Sequence, residues 1–347
     1  MATPTAASKR FYCAGGTKGA DWGTALATGA GKGLLITKSG LGLKQKYVPN
    51  EEIDQIMVKG GSIGPQDAPD WPLDFFMRYS PGLLGSYIAS LFGIAGAPAA
   101  GGATSKVHTF KWADAYSNFF THVEERPGKI WEVPSAVPYK LSFKFASGFL
   151  MATLSLRGST LTDASAVNTA TQMDAITYVD TSNRVKFLPT IWMNAEGGAA
   201  LQASDAIVAT EIDIDYERPI DSIPAVALDG IGEPKEPGFS KITVKLKLPR
   251  ATAANVAYLS TLFQAIAAQK MSMTFTGALI EAGHYYQLVL GFTRLLVQEP
   301  PAVPLEDMIS TSLVFEAQES AAAPTGMTGH VRPFMTLENL ATTDYLA

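Results

Sequence analysis

The sequence predicts a mainly β fold built as two similar halves, each with one helix packed on a sheet. Three observations carry this. Strand-length runs of alternating apolar and polar residues dominate the pattern, only two segments show helical spacing, and landmarks of the first half recur in order in the second.

Taken in chain order, residues 1–31 are rich in Gly, Ala and Thr without a sustained period, and read as an arm or loop. Leu34-Leu35-Ile36-Thr37 is the first strand-like run. Leu73–Tyr79, Val107–Trp112 and Tyr116–Val123 follow, then Ile130–Val133, Tyr139–Ala146 and Phe149–Arg157, each set off by turn residues. In Lys140–Phe145, Leu141, Phe143 and Phe145 share one face and Lys140, Ser142 and Lys144 the other, as a half-buried strand requires. Lys241–Leu248 repeats the alternation more cleanly, and Met271–Thr276 and His284–Arg294 complete the set. Helical spacing is confined to Leu83–Ile94, introduced by Pro81-Gly82, and Ala254–Ala267, where Val256, Leu259, Leu262, Phe263 and Ile266 form one stripe.

The recurrence is seen by laying one half on the other. Glu52-Ile53-Asp54 answers to Glu211-Ile212-Asp213, the Leu83 helix to the Ala254 helix, and Glu132–Pro138 to Glu299–Pro304, at offsets of roughly 160 to 170 residues. Expected boundaries are 32–162 and 175–320 for the two β domains, 163–174 for a linker, and 321–347 for a C-terminal tail that docks on a neighbour or frays.

Composition narrows the function classes. Charged residues are 17% of the 347 and apolar residues 47%, where about a quarter charged is usual for a free soluble domain. This suits a surface covered by neighbours. A net charge of −5 with no Lys/Arg run argues against a protein that grips nucleic acid. The single cysteine, Cys13, excludes a disulfide framework and a cysteine-rich zinc site, and nothing resembles a secretory signal or a membrane span. The expectation is a protein made in a reducing cytoplasm.

Four carboxylates, Glu211, Asp213, Asp215 and Glu217, lie on one face of a strand whose other face is Ile212, Ile214 and Tyr216. Such a set can serve acid–base or metal chemistry, form a solvated face, or line a channel or subunit seam. Gly60-Gly61-Ser62-Ile63-Gly64 matches a hydrolase nucleophile elbow in letters, but Pro65 and Pro69 follow where a helix is needed. Gly29–Gly33 lacks the glycine and the hydroxyl residue of a phosphate loop. His108, His122, His284 and His330 are scattered, although His108 and His122 could meet across a hairpin, and Trp71, Trp112, Trp131 and Trp192 suit cores or seams. The Gly- and Pro-rich stretch from Gly60 to Pro72, with Gly61, Ser62, Gly64, Asp67 and Asp70, reads as a loop suited to contacts between assembled copies. No cofactor, metal or catalytic site is expected.

Several segments in a fixed order resemble the tail tube proteins of long-tailed phages. They are Asp74–Tyr79 leading to Leu83-Leu84 and Leu91-Phe92-Gly93, then Val107-His108-Thr109-Phe110 after a Gly-rich loop, then Tyr139–Gly158. In the second half, Ile231-Gly232-Glu233-Pro234 leads into Ile242–Leu248, so the likeness spans about residues 30–320. The resemblance implies tandem tube-type β-sandwich domains, each with a flanking helix, whose inner sheets join those of neighbours into a barrel around a lumen. It implies a virion subunit without an active site that stacks in rings, three chains with pseudo-sixfold symmetry or, alternatively, six. Expected partners are other copies of itself, tape measure, tail terminator and distal tail proteins, and viral DNA passing without specific binding. The Glu211–Glu217 face is then lumenal or at a seam, where its negative charge would repel phosphates. Two other readings are a decoration or tail-terminator protein, which would be shorter, and a soluble all-β hydrolase, which would need a cleft with a second carboxylate.

Overall fold

A computed structural model of the protein describes residues 12–19, 21–42, 45–49, 61–66, 68–114, 118–126, 129–146, 148–178, 183–186, 188–221, 232–248, 267–298 and 311–346. Fifteen strands of five or more residues run through the described residues. In order, these are β1 (Tyr12–Gly19), β2 (Gln45–Pro49), β3 (Gly61–Gln66), β4 (Asp70–Phe76) and β5 (Lys106–Trp112). Next come β6 (Phe119–Arg126), β7 (Lys129–Ala146), β8 (Phe149–Gly158), β9 (Thr190–Ala195) and β10 (Glu211–Glu217). The last are β11 (Lys241–Leu248), β12 (Gln269–Glu281), β13 (His284–Val297), β14 (Thr311–Gln318) and β15 (Phe334–Asn339). The helices are α1 (Leu83–Phe92) and α2 (Ala170–Asp174).

β2 and β3 pair with each other as a separate hairpin, and the remaining strands belong to one antiparallel network. Its spine runs from the short strand Lys38–Ser39 through β4, β8, β7, β10, β11 and β14 to the end of β13. β13 also pairs with β12, and β15 lies between β13 and β5. The order Lys38–Ser39, β4, β8, β7 is followed by β10, β11, β14, β13 with the same antiparallel sense, the two runs meeting where β7 pairs with β10.

β7 contains Pro134 and Pro138, which lack the N–H a regular ladder needs. Both sit where the register shifts. Phe120 and His122 of β6 face Ala136 and Val133, leaving an extra residue on β7, and a second shift falls between Pro138 and Lys140. The Tyr139 carbonyl, freed at that bulge, accepts the Arg218 N–H at 2.8 Å. The expected strands Ile130–Val133 and Tyr139–Ala146 are therefore one strand that passes its prolines through bulges.

α1 enters at Gly82 (φ 56°) and stops at Gly93 (φ 88°), a left-handed turn that favours glycine. Rather than flanking the sheet at its surface, the helix is enclosed. Tyr87, Ile88, Ala89, Leu91 and Phe92 are buried, Tyr87 stacks on Phe120 at 4.2 Å, and Tyr345 closes over Gly85. Residues 251–266, which cover most of the second predicted helix, lie outside the described residues, as do Glu52, Ile53 and Asp54.

Three expectations change. The N-terminal region is more than an arm, because β1 pairs with β6 and the N–H groups of Gly23, Leu26 and Thr28 bond to Ser135, Thr121 and Asn168. Within the predicted linker, α2 forms and Met173 packs with Val123 and Ile176. The predicted C-terminal tail supplies β15, which completes the sheet within its own chain.

Candidate functional site

The acidic strand β10 keeps its alternation: Ile212, Ile214 and Tyr216 are buried, and Glu211, Asp213, Asp215 and Glu217 point to the opposite, open face. Its neighbours answer it in charge. β11 sets Lys247 opposite Glu211, Lys245 opposite Asp213 and Lys241 opposite Glu217, while β7 sets Lys140 beside Glu217 and Ser142 beside Asp215. Lys247 and Glu211 are 3.1 Å apart, as are Lys140 and Glu217, and the Ser142 hydroxyl donates to Asp215. Exposed pairs of this kind contribute only ~0–1 kcal/mol each, so the ladder sets surface charge more than stability.

The pattern extends sideways. Lys38 pairs across from Asp74, which accepts from Thr153 at 2.7 Å, and Asp70 takes the Arg157 guanidinium at 2.8 Å and the Tyr139 hydroxyl at 2.9 Å. Burial, followed by the Asp70 charge, pushes the Tyr139 hydroxyl up to about 12. With Lys144 and Glu316, the outward side of this spine from Lys38 as far as β14 carries seven basic and seven acidic side chains. The isolated negative strip expected from β10 alone is thus compensated on both flanks. Pockets of about 460, 480 and 680 Å³ lie elsewhere, and none is lined by the four β10 carboxylates.

Of the stretch predicted to be a loop, Gly61, Ser62 and Gly64 lie in β3, Asp70 opens β4, and Gly60 and Asp67 fall outside the described residues. The loop reading is corrected: alternate backbone groups of Gly61–Gln66 find partners on β2, with Pro49 opposite Gly61 and Val48 opposite Ser62. Ser62 is not a nucleophile elbow, since the next element after its strand is β4 and not a helix. Gly29–Gly33 runs into a two-residue strand, again without the helix a phosphate loop needs.

His108 and His122 do not meet. His108 faces Leu337 on β15 and bonds the Ala341 carbonyl at 3.0 Å; burial lowers its pKa, outweighing that bond, which raises it. His122 faces Val133 on β7 and bonds Glu124 at 3.1 Å. His284 pairs with Glu338 at 2.8 Å, and His330 stacks on Phe334 at 3.8 Å. Trp71 and Trp112 are buried, while Trp131 and Trp192 are half-buried. Among the described residues no group of three or more His, Cys, Asp or Glu is placed to hold a metal ion.

Glu124 and Arg218 are among the buried charges that sequence reasoning did not pick out. Glu124 collects His122, Ser39 and Arg126 around one carboxylate, and Arg126 reaches on to the Leu41 carbonyl at 2.6 Å. Arg218 follows the acidic strand directly and turns inward to the end of α1. Neither has a local signal: Glu124 is one charge within β6 and Arg218 one charge just after β10.

In comparison with protein families, the model described as phage tail tube protein matches residues 16–323. Comparison with curated proteins gives no match.

Proposed function

The chain belongs to the phage tail tube protein family, and from that premise we propose that the balanced face of β4, β8, β7, β10, β11 and β14 lines the bore of a tube made of stacked rings. The observation that carries this is the interleaving of lysines and carboxylates on one side of a sheet whose other side is core. A strongly basic wall would hold DNA by releasing counterions from its phosphates, and a strongly acidic wall would repel it over ~8 Å at physiological salt. A balanced wall does neither, which suits a passive conduit without an active site.

The repeated strand order supports three chains per ring with pseudo-sixfold symmetry, the β7–β10 junction inside one chain standing in for the junction between chains. Six chains per ring is the alternative. The β2–β3 hairpin, with Gly61, Ser62 and Gly64, is a candidate contact between rings. Tape measure, tail terminator and distal tail proteins would meet the tube in the virion, and DNA would pass through it unbound.

The test is electron microscopy of the purified chain at high concentration, with ring mass measured. In a Cys13→Ser background, Asp213→Cys carrying a gold-cluster maleimide provides the second readout. Hollow tubes with the label inside the bore support the reading, and label on the outer wall overturns the assignment of the face. A chain that stays monomeric with nucleating tail components present sinks the tube function itself.

A further inference from the structure

Two surfaces at opposite ends of the spine are complementary, and we propose that they meet between successive copies, with Phe239 of one subunit seated in a basic, aromatic-walled pocket of the subunit stacked on it. The inference rests on the stacked-ring reading.

The pairing register places the surfaces. Met151 lies beside Phe76, Phe143 beside Ile214, Glu211 beside Lys247 and Leu248 beside Thr311, which defines one end of the sheet. Arg157 beside Asp70, Glu217 beside Lys241, and Thr243 beside Glu316 define the other.

At the first end a pocket of about 680 Å³ is lined by Tyr79, Phe149, Arg184, Lys186 and Gly277 among others, with no carboxylate in its wall. The Arg184 guanidinium lies over Phe76 at 4.6 Å and over Phe149 at 5.8 Å, so cation and aromatic surface are presented together. Among the described residues neither Arg184 nor Lys186 has a carboxylate within ion-pair distance.

At the second end a groove of about 460 Å³ is lined by Asp114, Glu236, Glu316 and Glu319; Arg332 pairs with Asp114 and Glu319 and the buried Arg218 with Glu236, so carboxylates remain in excess. Phe239 is part of its wall and is fully exposed. Among the described residues nothing covers the Phe239 ring, and the basic pocket offers both a place for it and positive charge for the net acidic groove around it.

Because the surfaces differ and face opposite ways, the contact is head-to-tail and does not close, so each added copy presents a fresh pocket. A contact between two identical surfaces would stop at pairs. The occupant is therefore a second copy of this chain.

The experiment compares wild type, Phe239→Asp, and Arg184→Glu with Lys186→Glu, reading rings and tubes separately by electron microscopy and sedimentation. The expected result is rings of wild-type mass with tube yield reduced at least tenfold. In a Cys13→Ser background that keeps Phe239, Ser240→Cys with Ala278→Cys should give covalent multimers on oxidation of tubes and none in separated rings. Tubes of wild-type yield from both variants, or tubes of the cysteine pair that do not cross-link, overturn the inference while leaving the tube function intact. Absence of rings from the wild-type chain overturns the tube reading and this contact with it.

Discussion

Arg218 holds the end of helix α1 through Leu91: its Nε–H donates to the Leu91 carbonyl at 2.5 Å. Its Nη2 donates to Phe92 at 2.9 Å and Ala113 at 2.8 Å, its Nη1 meets Glu236 at 3.1 Å, and its plane lies over Trp112 at 4.4 Å. Carbonyls at a helix C-terminus have no partners within the helix, and here a fully buried guanidinium supplies them. The same side chain ties the end of β10 to the helix.

Arg218→Ala removes the donors and leaves buried carbonyls and Glu236 uncompensated. Denaturant unfolding should show a loss of about 3–5 kcal/mol. Arg218→Lys should recover less than half of it, because an ammonium cannot match a planar fork that bonds several acceptors and stacks on an indole. Full recovery by lysine would refute the geometric account.

Glu124 makes stability depend on acid. Burial would raise its carboxyl, but the hydrogen bond and charge of His122, followed by the bonds from Ser39 and Arg126, outweigh burial and hold it down to about 2 from an ordinary 4.5. A depressed carboxyl stabilises above the unfolded value and loses that contribution as pH falls through the folded one. Stability should therefore decline between pH 4.5 and 2, by about 3 kcal/mol at most. Glu124→Gln should be less stable at neutral pH and flatter across that window; an unchanged pH profile would refute the assignment.

Gly291 and Phe334 constrain one another, since a Cβ at Gly291 would lie 2.2 Å from the Phe334 ring. Gly291→Ala should cost roughly 1–3 kcal/mol by overpacking. Adding Phe334→Leu should return part of that cost, giving a non-additive double-mutant cycle. Strict additivity would show that the two do not share space.

Replacing Glu211, Asp213, Asp215 and Glu217 together by lysine leaves the buried face of β10 intact and turns its outward face strongly basic. The variant should bind duplex DNA with an affinity that falls steeply with salt, while the native chain should show no such binding. Equal DNA binding by both chains would show that charge on this face does not govern the contact.

Much of the central sheet was legible because alternation is a local signal: Glu211–Glu217 and Lys241–Leu248 announce which residues are buried without reference to any partner. That Lys241, Lys245 and Lys247 stand opposite the carboxylates was not legible, because register depends on pairing across a gap in sequence. β15 was missed for the same reason. Phe334–Asn339 is too short for its period alone to separate strand from helix, and what decides is the presence of two waiting edges, on β5 and β13. Arg218 was invisible as a helix cap since its target lies more than a hundred positions earlier.

That late strand has a consequence for the newborn chain. Lys111 and Phe334 are partners, so β5 is synthesised 223 residues before the strand that covers it. Until then the β5 margin has no partner strand there, and closure through so distant a segment is slow. A polypeptide halted before Phe334 keeps the margins of both β5 and β13 bare, which favours aggregation.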